Sequence, residues 1–234
     1  MESLPEGVDN IQLASLQGGV TINAALGEPY GTIKSQDYVY YQGNRVVDST
    51  TGYWLKTTTS NNIVGNINPK WTGSMRNTLR LGPVNFSFLI DMKKGGSVFL
   101  LDQAYGAQTG LYPESVGTND LGNPVRNTVA DGGGVILDGV YEDGRKNTTR
   151  VEADYFLGNA KAPSDFVYDA SYIKLREITL NFNFPSKWFG QKKVIKGINV
   201  GLFGRNLWII QKNTPYTDPE DGLSSGNIQG YQSG

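Results

Sequence analysis

Residues 84 to 92 carry an apolar side chain at every second position, which restricts the folds open to this chain. The apolar members of this segment are Val84, Phe86, Phe88, Ile90 and Met92. Because side chains alternate between the two faces of a β-strand, these share one face and a largely polar set shares the other. Such an apolar face contacts either the second layer of a soluble sandwich or the acyl chains of a membrane.

The same alternation recurs near the C-terminus. One face of residues 178–184 is apolar, with Ile178, Leu180, Phe182 and Phe184, and the other carries Thr179, Asn181 and Asn183. Further strands are predicted over residues 70–81 and 197–209, and Gly82-Pro83 joins residues 70–81 to 84–92 as a hairpin. The sequence therefore predicts an all-β protein with antiparallel strands.

The composition excludes several classes of function. The 234 residues include no Cys and no His, which rules out catalytic Cys, Ser-His-Asp triads, His-based zinc sites and disulfides. The formal net charge of −1 gives no reason to expect a nucleic-acid partner. We expect no enzyme, no cofactor and no metal site.

The chain contains no apolar run close to the ~20 residues that a membrane helix needs. A membrane β-barrel stays possible, because its strands need only about 9–11 residues and half of them can be polar. The N-terminus, MESLPEGVDN, lacks the basic start and apolar core of a signal peptide.

Two folds fit this alternation: a soluble carbohydrate-binding or adhesin-like β-sandwich, and part of a transmembrane barrel. The expected connections alternate between short ones at 82–83 and 185–196 and long ones at 93–168 and after 210. Outer-membrane barrels show this asymmetry between periplasmic turns and extracellular loops. Trp188 and Phe189 follow an apolar-faced strand, where an interfacial aromatic belt is expected. These features favour the barrel.

Five segments resemble a known family in their order along the chain. They read EPYGTI (28–33), VGNINPKWTGSMRNTLR (64–80), FSFLIDMKKGG (86–96), DASYIKLREITLNFNFP (169–185) and GLFGRNLWIIQKNTPYTDPE (201–220). Together they resemble the C-terminal part of the SusC/RagA family of TonB-dependent outer-membrane transporters. The most specific pieces are YIKLREI and GRNLW…KNTP…DPE.

The resemblance implies a large barrel of about 22 strands with a plugged lumen. Such transporters import glycans or peptides across the outer membrane of Gram-negative bacteria of the Bacteroidetes type. It also implies a SusD-like surface lipoprotein as a lid, membrane lipid around the barrel, and the TonB complex as the source of energy. The sequence shows no plug, no TonB-contacting segment and no last strand, so we expect a barrel-wall and loop fragment.

The resemblance orients the chain as part of a barrel. It implies a mostly extracellular loop region at 1–69, a hairpin at 70–92, a long extracellular loop at 93–168, two strands with a periplasmic turn at 169–209, and an extracellular loop at 210–234.

The expected site residues form three groups. Phe86, Phe88, Ile90, Ile178, Leu180, Phe182, Ile198, Val200 and Leu202 are expected to face lipid. Trp188 and Phe189 are expected at the membrane interface, beside headgroup-contacting Lys187, Lys192, Lys193 and Lys196. Tyr38, Tyr40, Tyr41, Tyr53 and Trp54 are candidates for stacking on a substrate, although local packing of the loop is the preferred interpretation.

Charged residues give no catalytic pattern. Asp218, Glu220 and Asp221 lie in a Gly/Pro-rich segment without the fixed separation that a glycosidase needs, and we expect a solvated loop there. Asp131, Asp138 and Asp143 match no calcium-binding loop and are explained by turns. Arg76 and Arg80 are expected to face the lumen, in a salt bridge of the wall or in contact with the plug or an anionic substrate.

Overall fold

A computed structural model describes residues 2–153, 161–189, 197–220 and 231–232. The strands are β1 (Asn10–Leu16), β2 (Val20–Ala25), β3 (Thr32–Ser35), β4 (Tyr40–Tyr41), β5 (Asn44–Arg45), β6 (Asn62–Asn66), β7 (Pro69–Leu81), β8 (Val84–Gly95), β9 (Ser97–Leu100), β10 (Val135–Ile136), β11 (Arg150–Val151), β12 (Val167–Asp169), β13 (Tyr172–Pro185), β14 (Gly197–Lys212) and β15 (Tyr231–Gln232). The helix α1 is Leu101–Gln108, and short 3-10 helices occur at Pro113–Ser115, Val129–Asp131, Pro163–Phe166 and Ser186–Phe189. The predicted all-β class with mostly antiparallel sheets is confirmed.

The chain divides into two compact units. The first, which we call the globular unit, comprises residues up to 68, residues 97–168 and the segment with β15. The second, the sheet unit, comprises residues 69–96 and 169–220.

The globular unit is built on an antiparallel sheet in the order β1-β2-β3-β6. A second sheet has the order β12-β9-β15, in which β15 and β9 are parallel. One apolar core contains Val20, Ile22, Ile33, Phe99 and Phe166, and another contains Tyr38, Val47, Trp54, Leu137 and Val151.

Residues 1–69 and 93–168, which the resemblance implies to be mainly extracellular loop, both contribute to these cores. The strands there are short, and the apolar residues that pack against them lie far away in the sequence, so local periodicity indicates some of the short strands but not the cores.

The sheet unit is one antiparallel sheet in the order β14-β13-β8-β7. Its four strands coincide with those predicted from alternation and extend a few residues further. Leu81 pairs with Val84, so Gly82 and Pro83 alone connect β7 to β8. Gly82 has a φ of 58°, a value that glycine adopts without steric cost at the first central position of a hairpin turn.

Within the described residues, no helix is both long and apolar enough to cross a membrane.

Candidate functional site

The most distinctive surface of the sheet unit is its apolar face. Residues paired directly across antiparallel strands have side chains on the same face. Leu180 pairs with Phe86 on one side and with Leu202 on the other, and Phe86 also pairs with Leu79. One row of apolar side chains thus crosses all four strands.

Neighbouring rows continue this face. It comprises Met75, Leu79, Leu81, Val84, Phe86, Phe88, Ile90, Ile178, Leu180, Phe182, Phe184, Ile198, Val200 and Leu202. Asn77, which pairs with Phe88, is a polar exception. None of these side chains carries a charge, so the face is continuous and almost wholly apolar.

The nine residues expected to face lipid all lie on this face. None of them is buried. Leu180 is 40% exposed, Val200 53% and Leu202 70%, while Phe86 and Phe88 are half-buried. A soluble sandwich would cover these side chains with a second layer, so their exposure argues against that alternative.

An aromatic cluster lies where β13 ends. The ring centroids of Phe182 and Phe184 are 4.4 Å apart, and Trp188 lies 5.9 Å from Phe182 and 5.7 Å from Phe184. Phe189 lies 6.5 Å from Phe184. Trp188 is 54% exposed, as is suitable for a residue at a boundary between apolar and aqueous surroundings. Lys187 beside it is exposed, while Lys192, Lys193 and Lys196 lie outside the described residues.

The polar face of the sheet depends on a β-bulge in β13. Leu175 pairs with Ile90 and Glu177 pairs with Leu89, which leaves Arg176 as an extra residue. Without this bulge, Lys174 and Arg176 would alternate onto the same face as Ile178. The bulge reverses the alternation, so Lys174 pairs with Asp91 on the polar face. Sequence analysis missed this change, because the period-2 pattern ends at Ile178.

An ion-pair cluster then joins the two most specific motifs of the sequence. Lys174 Nζ donates to Asp218 and to Glu220 Oε2, the latter at 2.6 Å. Arg176 Nη2 donates to Asp91 Oδ2 at 2.7 Å and to Glu220 Oε1.

The hydroxyl of Tyr172 completes this cluster by donating to Glu220 Oε1 at 2.7 Å. Burial alone would raise the pKa of Glu220. The hydrogen bonds from the cluster outweigh burial and lower this pKa to about 2, from an ordinary value of 4.5.

The prediction of a solvated loop at Asp218 and Glu220 is therefore wrong. Lys174 has only 5% of its side chain exposed, and both carboxylates are drawn onto it. The sequence contains a segment with two basic residues, YIKLREI, and a separate acidic segment, DPE. Their opposite charges were the one indication that these segments contact each other. Asp221 lies outside the described residues.

A second charged group lies further along the polar face. Arg76 on β7 and Arg205 on β14 approach the same carboxylate, that of Glu177, at 2.6 Å and 3.5 Å. Arg76 thus makes a salt bridge within the sheet. Arg80 is exposed and makes no ion pair with any residue that the structure describes.

The five candidate aromatics of residues 38–54 differ in their surroundings. Tyr38 and Trp54 are buried and contact each other edge to face at 5.5 Å. The guanidinium of Arg45 lies 3.8 Å from the ring centroid of Tyr38 and 4.8 Å from that of Trp54. Tyr38 donates to Asp165 at 2.5 Å, and burial and this neighbouring carboxylate raise its pKa.

Because their faces are already occupied, Tyr38 and Trp54 pack the core and are not placed to stack on a substrate. Tyr53 is half-buried against the same core. Tyr40 and Tyr41 are 52% and 39% exposed and keep accessible rings.

Among the described residues, no group of three carboxylate side chains is arranged to hold a metal ion. Asp131 accepts a hydrogen bond from Thr128, and Asp143 pairs with Arg145.

Comparison with solved structures agrees with this architecture. The chain is similar to the RagAB peptide importer in its open-open state, with 19% identity and a TM-score of 0.60 over 98% of this chain and 23% of that chain. The closed-closed state of the same importer has 19% identity and a TM-score of 0.60, and the match covers 99% of this chain and 24% of that chain. A structure of the RagAB peptide transporter has 17% identity and a TM-score of 0.53, and the match covers 90% of this chain and 22% of that chain.

The chain shares its fold with part of these transporter chains. It spans about a quarter of their length, 23% in the first case. No family model matches the sequence, and none of the curated proteins matches it.

Proposed function

We propose that this chain forms part of the wall and mouth of a TonB-dependent importer of the SusC/RagA type, in the outer membrane of a Gram-negative bacterium of the Bacteroidetes type. The observation that supports the proposal most directly is the continuous apolar face of the sheet unit, which is uncovered and uncharged. Exposed apolar patches of this extent mark surfaces that contact a partner or a membrane. The likeness of the fold to a peptide importer favours the membrane.

In this proposal the apolar face contacts lipid and the polar face lines the lumen. The turn at Gly82-Pro83 and the segment with Trp188 and Phe189 lie at the periplasmic end. The loop after β14 then lies at the extracellular end of the sheet unit, where a SusD-like lipoprotein would cover the mouth. The chain provides wall and mouth, while the TonB complex provides the energy through a different part of the transporter.

Both edges of the sheet require partners in this arrangement. β7 and β14 are the outermost strands of the sheet unit. An unpaired backbone N–H or C=O group in the hydrocarbon region costs several kcal/mol. We therefore propose that neighbouring barrel strands pair with β7 and β14.

The substrate is proposed to be a peptide or an oligosaccharide. Solved structures of similar fold are described as a peptide importer, which favours the peptide. The exposed rings of Tyr40 and Tyr41 keep an oligosaccharide as the second candidate, because aromatic faces can stack on sugar rings.

Site-directed spin labelling tests the proposed function. The chain has no native Cys, so single cysteines introduced into it are labelled without interference from other residues of this chain. Leu180→Cys and Val200→Cys should be accessible to oxygen dissolved in lipid. The matched controls Asn181→Cys and Asn199→Cys, on the opposite face, should be accessible to a water-soluble nickel complex.

The protein should be labelled at full length in lipid bilayers. Equal accessibility of residues 180 and 181 to the nickel complex would contradict a lipid-facing surface.

A further inference from the structure

The polar face of the sheet unit carries an excess of positive charge. Its basic residues, as the register places them, are Arg76, Arg80, Lys93, Lys174, Arg176, Arg205 and Lys212. The carboxylates that face or reach them are Asp91, Asp169, Glu177, Asp218 and Glu220. Among the described residues, seven positive charges against five negative ones leave a net charge of +2.

The two ends of this face differ in how fully the positive charges are paired. Lys174 and Arg176 are paired with three carboxylates and are largely shielded from solvent. Arg76 and Arg205 share the single carboxylate of Glu177, and their side chains are 52% and 70% exposed. Lys93 and Lys212 also lie at the first end, where four basic residues face four carboxylates. The net charge of +2 therefore belongs to Arg76, Arg80 and Arg205 against Glu177.

The hydrogen-bonding capacity of this site exceeds what Glu177 can satisfy. Each guanidinium presents five N–H donors in a planar fork, whereas one carboxylate offers two oxygens. The fork of an arginine matches a second carboxylate in a bidentate geometry. Arg76 and Arg205 thus keep donors available to an anion.

We propose that Arg76 and Arg205, together with Arg80 four residues further along β7, bind the acidic side chains of a peptide that passes along the polar face. This inference rests on the proposed function, which places the polar face in the lumen. Charge complementarity selects a peptide with Glu or Asp side chains over a neutral or basic one. Glu177 limits the affinity, because its negative charge repels the same ligand.

Peptide binding to the full-length protein in detergent tests this proposal. The probes are fluorescein-labelled hexapeptides of alternating Glu and Ala, Gln and Ala, or Lys and Ala, and fluorescence anisotropy gives their dissociation constants. The Glu-Ala peptide should bind most tightly, and added salt should weaken its binding. Arg76→Gln and Arg205→Gln should each weaken it about two- to fivefold, the range for exposed ion pairs.

Glu177→Gln distinguishes ligand binding from a structural role. If the arginines bind the peptide, removing the competing carboxylate should tighten binding of the Glu-Ala peptide by about two- to fivefold. If the three residues only hold the wall together, Glu177→Gln should weaken binding or leave it unchanged. Arg145→Gln is the matched control, because Arg145 is an exposed arginine of the globular unit paired with Asp143.

Two results would overturn the inference. One is equal affinity for the Glu-Ala and Gln-Ala peptides. The other is that Arg76→Gln and Arg205→Gln alter protease cleavage of a domain inside the lumen without changing peptide binding, which would assign the arginines to that domain. Neither result bears on the lipid exposure of residue 180, so failure of this inference is distinguishable from failure of the proposed function.

Discussion

Leu180 and Asn181 are adjacent in β13, yet their side chains lie on opposite faces of the sheet. Leu180 lies in an apolar row with Phe86 and Leu202, and Asn181 pairs with Asn85 on the polar face. In the proposed barrel, one residue meets acyl chains and the next meets the wet lumen. The cost of a charge should therefore differ sharply between them.

Leu180→Arg should destabilise the full-length protein by about 2–4 kcal/mol if residue 180 lies near the middle of the membrane. Asn181→Arg should change the free energy of unfolding by much less. Urea titration of the protein in lipid vesicles, followed by tryptophan fluorescence, measures both values. Similar losses at the two positions would count against a lipid-facing surface.

Trp54 illustrates a residue whose role depends on its surroundings. Its indole donates to the backbone oxygen of Asp138 at 2.7 Å, and its ring is covered by Tyr38 and Arg45. Trp54→Ala should therefore destabilise the globular unit by about 3–5 kcal/mol, as for other buried aromatic side chains.

Tyr41→Ala serves as the comparison for Trp54→Ala. Because Tyr41 is exposed, this substitution should change the free energy of unfolding only slightly. Thermal unfolding monitored by near-UV circular dichroism distinguishes the two variants. Equal melting temperatures would show that Trp54 does not pack the core.

Among the elements, β13 combines a regular half with a bulged half. From Ile178 onward, apolar and polar side chains alternate regularly between the two faces. The bulge at Arg176 moves Lys174 to the polar face, where Lys174 contacts Glu220 of the loop after β14. A β-bulge holds one residue that the neighbouring strand does not pair. Removing that residue leaves the alternation on either side intact, whereas removing a paired residue inverts it.

Deletion of Arg176 should therefore be tolerated better than deletion of Thr179. The first variant loses the ion pairs to Asp91 and Glu220 but keeps the apolar face continuous. The second turns Ile178 toward the polar face and should prevent folding. The fraction of each variant that migrates as a folded, heat-modifiable species on gels measures the outcome. Equal folded fractions for the two deletion variants would contradict the assignment of Arg176 as the bulged residue.

The loop after β14 is held to the sheet by ionised carboxylates. The pKa of Glu220 is lowered to about 2 from 4.5, so its charged form contributes stability that is fully present above pH 4.5. This contribution should be lost as the pH falls from 4.5 toward 2. The protection factors of the amides of residues 213–220, which compare observed with intrinsic exchange rates at each pH, should fall over that range while the strands stay protected.

Glu220→Gln provides the control for this pH dependence. The variant should show faster exchange in the same loop already at pH 7, with little further change on acidification. If wild-type and variant loops exchange equally at pH 7, the ion-pair cluster does not hold the loop.

At the scale of the whole molecule, the chain combines a globular unit that has its own cores with a sheet unit that leaves one face and two edges uncovered. The two units interrupt each other in the sequence, because residues 69–96 of the sheet unit separate two parts of the globular unit, and residues 97–168 of the globular unit lie between β8 and β13. Short hairpins cannot produce this arrangement, and it suits a barrel whose strands continue into long extracellular segments.

In the proposed barrel, the outward-facing amides of β7 and β14 should be paired with neighbouring strands. Their hydrogen exchange in the full-length protein should be as slow as that of β13, which is paired on both sides. Exchange within seconds along either edge would show that the sheet ends there, and would remove the support for a barrel.

Local alternation was sufficient to locate the four long strands, the turn at Gly82-Pro83 and the two faces of the sheet. This is because side-chain direction in a strand depends only on the parity of the position. Three features depended on contacts between distant parts of the chain: the bulge at Arg176, the approach of Glu220 to Lys174, and the burial of Tyr38 against Trp54. Each is set by pairing or desolvation between residues that carry no shared local pattern, such as Lys174 and Glu220, which are 46 positions apart in the sequence.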